Sequence, residues 1–275
     1  MFNRQKLLLS IANIVSKNRP NAKKTYLMKT VFLLKQRLPE EVAYDFFPHN
    51  YGPFSQTIYE DLNFLESENL INTDNLELKN KGKQIANAFD LSDNLYHELI
   101  SITSDFKSTE KIREFVYDNY PKYIVKSKLN KTPKKKTKGI FSIGYEGKSV
   151  DFFLNLLIQN QISLLVDVRK NAFSMKKGFS KNQLKHYLEL AGIGYLHLPE
   201  FGIESDKRKK LETVEDYKQL FEDYKKTLSK KGEELNRLER LGKTESIALM
   251  CFEADKDYCH RGVISDALHA EVVHI

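Results

Sequence analysis

Cysteine occurs twice in this chain of 275 residues, at Cys251 and Cys259, and the second is followed directly by His260 and Arg261. Several chemistries could use such a set. A structural zinc site needs four nitrogen or sulfur ligands in a tetrahedral array, and the C-x7-C-H spacing is not that of a zinc knuckle, so no metal is expected. A redox pair favours C-x-x-C, which this segment lacks. A thiol nucleophile is the stronger case. Cys259 is predicted to stand at the start of a helix over 261–270, with Asp257 as its N-cap. A helix N-terminus and a neighbouring cation both favour a thiolate there. The remaining reading packs both thiols beneath a binding surface and leaves the chemistry to other groups.

Such residues need a scaffold. GIFSIG, SLLVDVR, GYLHLPEFG, SIALMC and EVVHI are short apolar runs that read as strands. Between them, 150–159, 182–191 and 261–270 read as helices, and the charged stretch 207–242 as one or two more. The alternation predicts an α/β fold, a mostly parallel sheet with helices on both faces. Ligands bind such sheets at the carboxyl ends of the strands. The sequence delivers a set of polar groups to that rim: Ser142, Gly144, Tyr145 and Glu146 after the first strand; Asp167, Arg169 and Asn171 after the second; His197 and Glu200 after the third; Cys251 and Glu253 after the fourth.

Arg169 and Arg261 are suited to grip a phosphate or carboxylate in bidentate fashion. His260 or Glu253 could move a proton, with Asp167 assisting. Each residue also has a plainer reading: Asp167 as a helix cap, His197 as a satisfied core histidine, Arg261 as half of an ion pair with Asp167 or Glu253. G-Y-E-G at 144–147 is glycine-rich but is not G-x-G-x-x-G, so no dinucleotide and no other cofactor is expected.

The elements SIGYEGKSVDFFLNLL, LLVDVRKNAFSMKKGFSKNQL, AGIGYLHLPEFG, CFEADKDYCHRGVISDAL and VVHI together resemble the domain of unknown function 488 family, in order, over residues 139–275. The resemblance implies a Rossmann-like α/β fold. It carries no established reaction.

The net charge of +7 is not spread over the chain. Residues 1–125 carry 16 basic and 16 acidic side chains, residues 139–275 carry 21 of each, and residues 126–138 (KSKLNKTPKKKTK) carry seven lysines and no acid. Two neutral bodies, 1–125 and 139–275, joined by a solvated lysine-rich linker are therefore expected. Lys134, Lys135 and Lys136 are its densest cluster, and clustered lysines bind polyanions without sequence preference. No apolar run approaches membrane-span length and no signal peptide is read, so a cytoplasmic location without membrane contact is expected.

In the first body, 7–15 and 26–38 have helical apolar spacing. A helix follows Ser55, LINTDNLELKNKG reads as a short hairpin, and two or three helices run from 80 to 120. FFPHNYGPFSQTIYEDLNFLESENLI resembles the signature of a widespread prokaryotic group of winged-helix-like domains, some of which act as antitoxin or adaptor modules. That resemblance implies an N-terminal mainly α, winged-helix-like domain. The helix itself argues against base reading: residues 55–71 hold Glu60, Asp61, Glu66 and Glu68 and no Lys or Arg, and acids facing a polyanion are repelled. A protein partner through 55–71 is the favoured role.

Two functions follow as expectations. One is an enzyme or ligand-binding protein acting on a phosphate-bearing nucleotide or nucleic acid at the carboxyl rim. The other is a non-enzymatic DNA-associated or protein-binding adaptor, by analogy in a defence or mobile-element setting.

Overall fold

Leu8, Leu9, Ile11 and Val15 are fully buried along α1 (Asn3–Asn18), and Leu27, Val31, Phe32 and Leu34 along α2 (Lys24–Arg37). Burial on more than one stripe makes these the central helices of the N-terminal unit. The apolar spacing read over 26–38 is thus only part of the buried surface of α2. Lys29 is also buried on it, its Nζ donating to the Pro53 carbonyl at 2.7 Å. The computed structural model describes residues 1–129, 137–208 and 213–275; Lys134, Lys135 and Lys136 lie outside them. The chain forms two compact units, Met1–Thr132 and Pro133–Ile275.

In the first unit, the segment FPHNYGPF forms an antiparallel hairpin, β1 (Phe47–His49) with β2 (Gly52–Phe54). Pro48 and Pro53 face each other in it, which a lone two-stranded ribbon tolerates because neither strand has to donate to a further neighbour. Gly52 takes the left-handed conformation (φ 88°) at the turn. Helix α3 (Gln56–Ser67), the hairpin β3 (Ile71–Asn72) with β4 (Glu77–Leu78), and helices α4 (Asn80–Ala88), α5 (Asp93–Asp105) and α6 (Thr109–Asn119) complete the unit. The hydroxyls of Ser55, Ser92 and Ser108 cap α3, α5 and α6 by accepting from the third N–H beyond each.

The acidic face expected on α3 is smaller than its sequence suggests. Asp61 is buried and accepts from Arg4 Nε (2.7 Å), Gln5 Nε2 (2.7 Å) and the Tyr44 hydroxyl (2.9 Å). It ties α3 to α1 rather than to solvent. Gln56 is also largely buried, leaving Asn63 as the exposed base-reading type on this helix.

The second unit has the expected alternation: β5 (Gly139–Gly144), α7 (Val150–Gln159), β6 (Leu164–Asp167), α8 (Lys181–Leu190), β7 (Gly194–His197), α9 (Val214–Leu228), α10 (Gly232–Thr244), β8 (Ser246–Cys251), α11 (His260–Ala267) and β9 (Val272–His274). All five strands are parallel, in the order β7-β6-β8-β5-β9. Among its described residues the charged stretch holds two α-helices, α9 and α10. One sheet face, with Ile140, Val166, Ile247, Leu249 and Cys251, shares a core with Tyr224, Leu238 and Ile264 from α9, α10 and α11. Side chains alternate along a strand, so the buried Ile143, Leu165, Ala248 and Met250 turn to the opposite face, where α7 and α8 remain to cover them. β8 is buried at every position, as a central strand covered on both faces must be.

Candidate functional site

β6, β8 and β5 are adjacent, so their carboxyl ends bring Asp167, Cys251 and Gly144 side by side. Asp167 is fully buried and its carboxylate accepts four hydrogen bonds: from Arg169 Nε (2.8 Å), Nη2 (2.6 Å) and backbone N–H (3.1 Å), and from the Tyr195 hydroxyl (2.7 Å). Arg169 spends its remaining edge on the Tyr145 hydroxyl (2.9 Å). Burial opposes the Arg169 charge, and its bonds to Asp167 more than offset that, raising its pKa. Burial likewise raises the Tyr195 phenol, with Asp167 adding to it. These side chains are a closed ionic frame. They do not form the open anion clamp expected of Arg169, and they leave Asp167 engaged rather than free to assist a proton transfer.

Arg261 departs from expectation in the same direction. It is buried, and its hydrogen bonds run to neutral acceptors: the Glu253 carbonyl, the Ala254 carbonyl (2.8 Å) and the Ser142 hydroxyl (3.3 Å). Of the two partners expected for it, Asp167 is taken by Arg169, and Glu253 meets it through the backbone carbonyl. The Ser142 hydroxyl in turn meets His274 Nδ1 at 2.7 Å. Arg261 therefore pins the loop after β8 onto the end of β5. Gly144 serves the same closure, because a Cβ there would stand 1.7 Å from the Glu253 carbonyl oxygen.

The cysteines are core residues. Cys251 and Cys259 are 0% and 1% exposed, and burial, with Cys251 adding to it, pushes the Cys259 thiol well above its ordinary range. The exposed, low-pKa thiolate expected at Cys259 does not form: the loop folds it inward, and desolvation penalises the anion more than the helix end favours it. Nor does Asp257 cap α11. The N-cap position is Cys259 itself, and Asp257 is an exposed ion-pair partner of Lys256. His260 is buried too. Its Nε2 donates to the Val168 carbonyl at 3.0 Å, which leaves Nδ1 as an acceptor facing the Cys251 and Cys259 sulfurs at 3.6 and 3.9 Å. Glu253 is half-buried, with Oε2 3.2 Å from Cys251 Sγ.

Residues 149–268 match the family model described as domain of unknown function DUF488. No curated protein and no solved structure matches the chain. The DUF488 segment takes in the Asp167–Arg169 frame, both cysteines, His260 and Arg261. It begins after β5, so Ser142, Gly144, Tyr145 and Glu146 lie outside it, and the match is narrower than the resemblance over 139–275.

What faces solvent above this frame is mainly a set of residues that the motifs did not single out. The loop between β6 and α8, within the DUF488 segment, carries Phe173 (68% exposed), Met175 (95%) and Lys176, and the loop after β8 carries Phe252 (40%). Lys176 Nζ donates to the Tyr145 carbonyl at 2.9 Å and lies 5.6 Å from the Phe179 ring. The Tyr145 ring stacks on Phe179 (4.3 Å) and meets Phe252 edge-on (5.3 Å). Lys148 follows Glu146 and Gly147 on the loop after β5. Both lysines are held below their ordinary range: Lys148 by burial and then Arg261, Lys176 by burial and then Lys148. Glu146 offsets part of this for both lysines, and its Oε2 already accepts the Ala254 N–H at 2.9 Å.

The other expected ligand groups are engaged locally. His197 donates from Nε2 to the Arg169 carbonyl (2.9 Å), and Asn171 closes its own turn by accepting the Phe173 N–H. Glu200 lies on the short 3-10 turn Pro199–Phe201 beside a cleft of about 580 Å³ also lined by Lys170, Lys207, Asp216, Asp223 and Lys231. The signal for the lysine and aromatic loops was present as NAFSMKKGFS directly after a buried strand: a basic, aromatic loop on the carboxyl side of the sheet. It names no chemistry by spacing, which is why motif reading passes over it.

Proposed function

We propose that the carboxyl rim of the C-terminal sheet binds a phosphate-bearing ligand, a nucleotide or a nucleic-acid strand. The observation that carries the reading is the cluster of Lys148 from the loop after β5, Lys176 from the loop after β6 and Arg261 from α11, where burial and then like charges depress both lysines. An anion there would relieve that repulsion, and partial burial would strengthen its attraction. Phe173, Met175 and Phe252 supply an exposed apolar and aromatic surface in the same loops, suited to stack a base. Asp167, Arg169, His260 and Arg261 then serve as the rigid floor that holds these loops in place.

The test is equilibrium binding of a labelled nucleoside triphosphate and a short single strand at about 50 and about 200 mM salt. Lys148→Ala and Lys176→Ala should each weaken binding and lower the salt slope by about one. Unchanged binding and slope in the double variant would sink the reading. Strand binding that survives in the double variant but disappears in Lys134→Ala/Lys135→Ala/Lys136→Ala would assign it to the lysine-rich stretch instead. Ligand turnover in the same assay would make the protein an enzyme.

A second reading concerns the first unit. Tyr59 (41% exposed) and Phe64 (38%) stand on α3, and Tyr51 (54%) on the turn before it. Helix α3 followed by the β3–β4 hairpin is the arrangement a winged-helix-like adaptor would use, and exposed aromatics with the acids Glu66 and Glu68 suit a protein partner better than DNA. Tyr59→Ala/Phe64→Ala should abolish capture of a partner by the full-length protein, whereas Asp61 variants test folding rather than docking.

A further inference from the structure

We infer that Cys251, Cys259 and His260 form a binding site for a thiophilic divalent cation of the zinc class, beneath the rim. The sequence spacing argued against a metal, and the fold reverses that argument. Cys251 ends β8 and Cys259 closes the loop that returns to the same strand end, so residues eight apart in number meet in space. Cys259 is extended (φ −134°, ψ 137°) while His260 begins α11, and the change of direction between them turns both side chains to one point. The two sulfurs and His260 Nδ1 all lie within 4.8 Å of one another.

The individual separations are those of ligands sharing an ion. Zinc–sulfur and zinc–nitrogen bonds of ~2.3 and ~2.0 Å give tetrahedral sulfur–nitrogen edges of ~3.5 Å. The sulfurs here stand 3.6 and 3.9 Å from Nδ1. The histidine is also prepared for the role. Its Nε2–H donates to the Val168 carbonyl, which fixes the tautomer with the Nδ1 lone pair facing the thiols, the outer-sphere bond that metal-ligating histidines make. Tyr224 braces the ring edge-on at 5.8 Å, its own hydroxyl held by the Phe201 carbonyl at 2.5 Å.

The fourth position would fall to the Glu253 carboxylate, already 3.2 Å from Cys251 Sγ, or to water. Cys259 also lines a cleft between α9 and α11 with Glu222, Asp257 and Asp266 among its walls, a route from solvent. Binding would release one proton from each thiol to solvent and leave two thiolates and a neutral imidazole on the ion. The inference does not depend on the phosphate-binding reading.

The test uses full-length protein stripped by a chelator and titrated with cobalt(II). A sulfur-to-cobalt charge-transfer band with visible bands of tetrahedral geometry, saturating at one equivalent, is expected. Zinc should displace the cobalt and block alkylation of both cysteines. Cys259→Ser and His260→Ala should each weaken cobalt binding by roughly 100-fold or more, since loss of an outer-sphere partner alone costs about 10–100-fold. Wild-type protein that shows no charge-transfer band, or cysteines that alkylate at the same rate with and without zinc, would overturn the inference. So would undiminished binding in Cys251→Ser/Cys259→Ser. Because the wild-type spectrum and alkylation rates decide on their own, a variant that fails to fold leaves the answer intact. Glu253→Gln separates the fourth ligands: a spectral shift assigns the carboxylate, and none assigns water. Neither result bears on nucleotide binding, which is read separately.

Discussion

Replacing Asp167 by asparagine is expected to destabilise the C-terminal unit by about 3–5 kcal/mol, the cost of leaving a buried partner charge uncompensated. Arg169 is 6% exposed and Asp167 fully buried, so the guanidinium cannot turn to water when the carboxylate is gone. The amide of asparagine would also meet donors on all sides, since Arg169 and the Tyr195 hydroxyl both donate to this position. Protection of the β6 and β8 amides against hydrogen exchange reads this unit by itself. Removing the pair together, as Asp167→Leu/Arg169→Met, should cost far less, because apolar residues of similar volume often replace a buried ion pair without loss. A single variant within about 1 kcal/mol of wild type would mean that the frame is not the organiser of the rim.

The N-terminal unit should become more stable as pH rises. Lys29 is buried on α2, and burial, with Arg113 adding to it, lowers its pKa from 10.5 to about 7. Between those values the unfolded chain binds a proton that the native state does not, so stability climbs across that window and the penalty is complete below pH about 7. A shift of that size corresponds to a ceiling of roughly 5 kcal/mol. Lys29→Met removes the penalty and also the bond to the Pro53 carbonyl, so a net gain of roughly 2–4 kcal/mol is expected at mildly acidic pH, fading toward pH about 10. Thermal unfolding across this range checks it: a wild-type profile that is flat or falls with rising pH, or a variant no more stable at the acidic end, would refute the assignment.

Helices α1, α3, α7 and α8 and strands β5, β6 and β8 were legible because each has its own local pattern: apolar spacing, a serine at the cap, or an apolar run too continuous for a half-exposed strand. A mostly parallel sheet followed from the alternation of those patterns, whereas the strand order β7-β6-β8-β5-β9 did not. The β1–β2 hairpin was not legible, because its paired prolines speak against strands and only the cross-strand fit of Phe47 and Phe54, 5.7 Å apart, supports it. The acids of α3 misled for a related reason. Asp61 looks like its neighbours in sequence, and only the approach of Arg4, Gln5 and Tyr44 from elsewhere in the chain takes it out of solvent.

The sequence by itself determined which strand ends carry polar groups, and so where a site must be sought. It also placed the whole charge excess in residues 126–138. Only the tertiary structure decided what those groups do. Asp167 could have met Arg261 or Arg169, and the register of β6 against its loop chose Arg169. Cys251 and Cys259 could have been exposed or buried, and the turn into α11 folded both inward against His260. Secondary structure answers to near neighbours along the chain, which a sequence displays. Ionisation, reactivity and ligand geometry answer to neighbours in space and to access of water, which only the folded chain supplies.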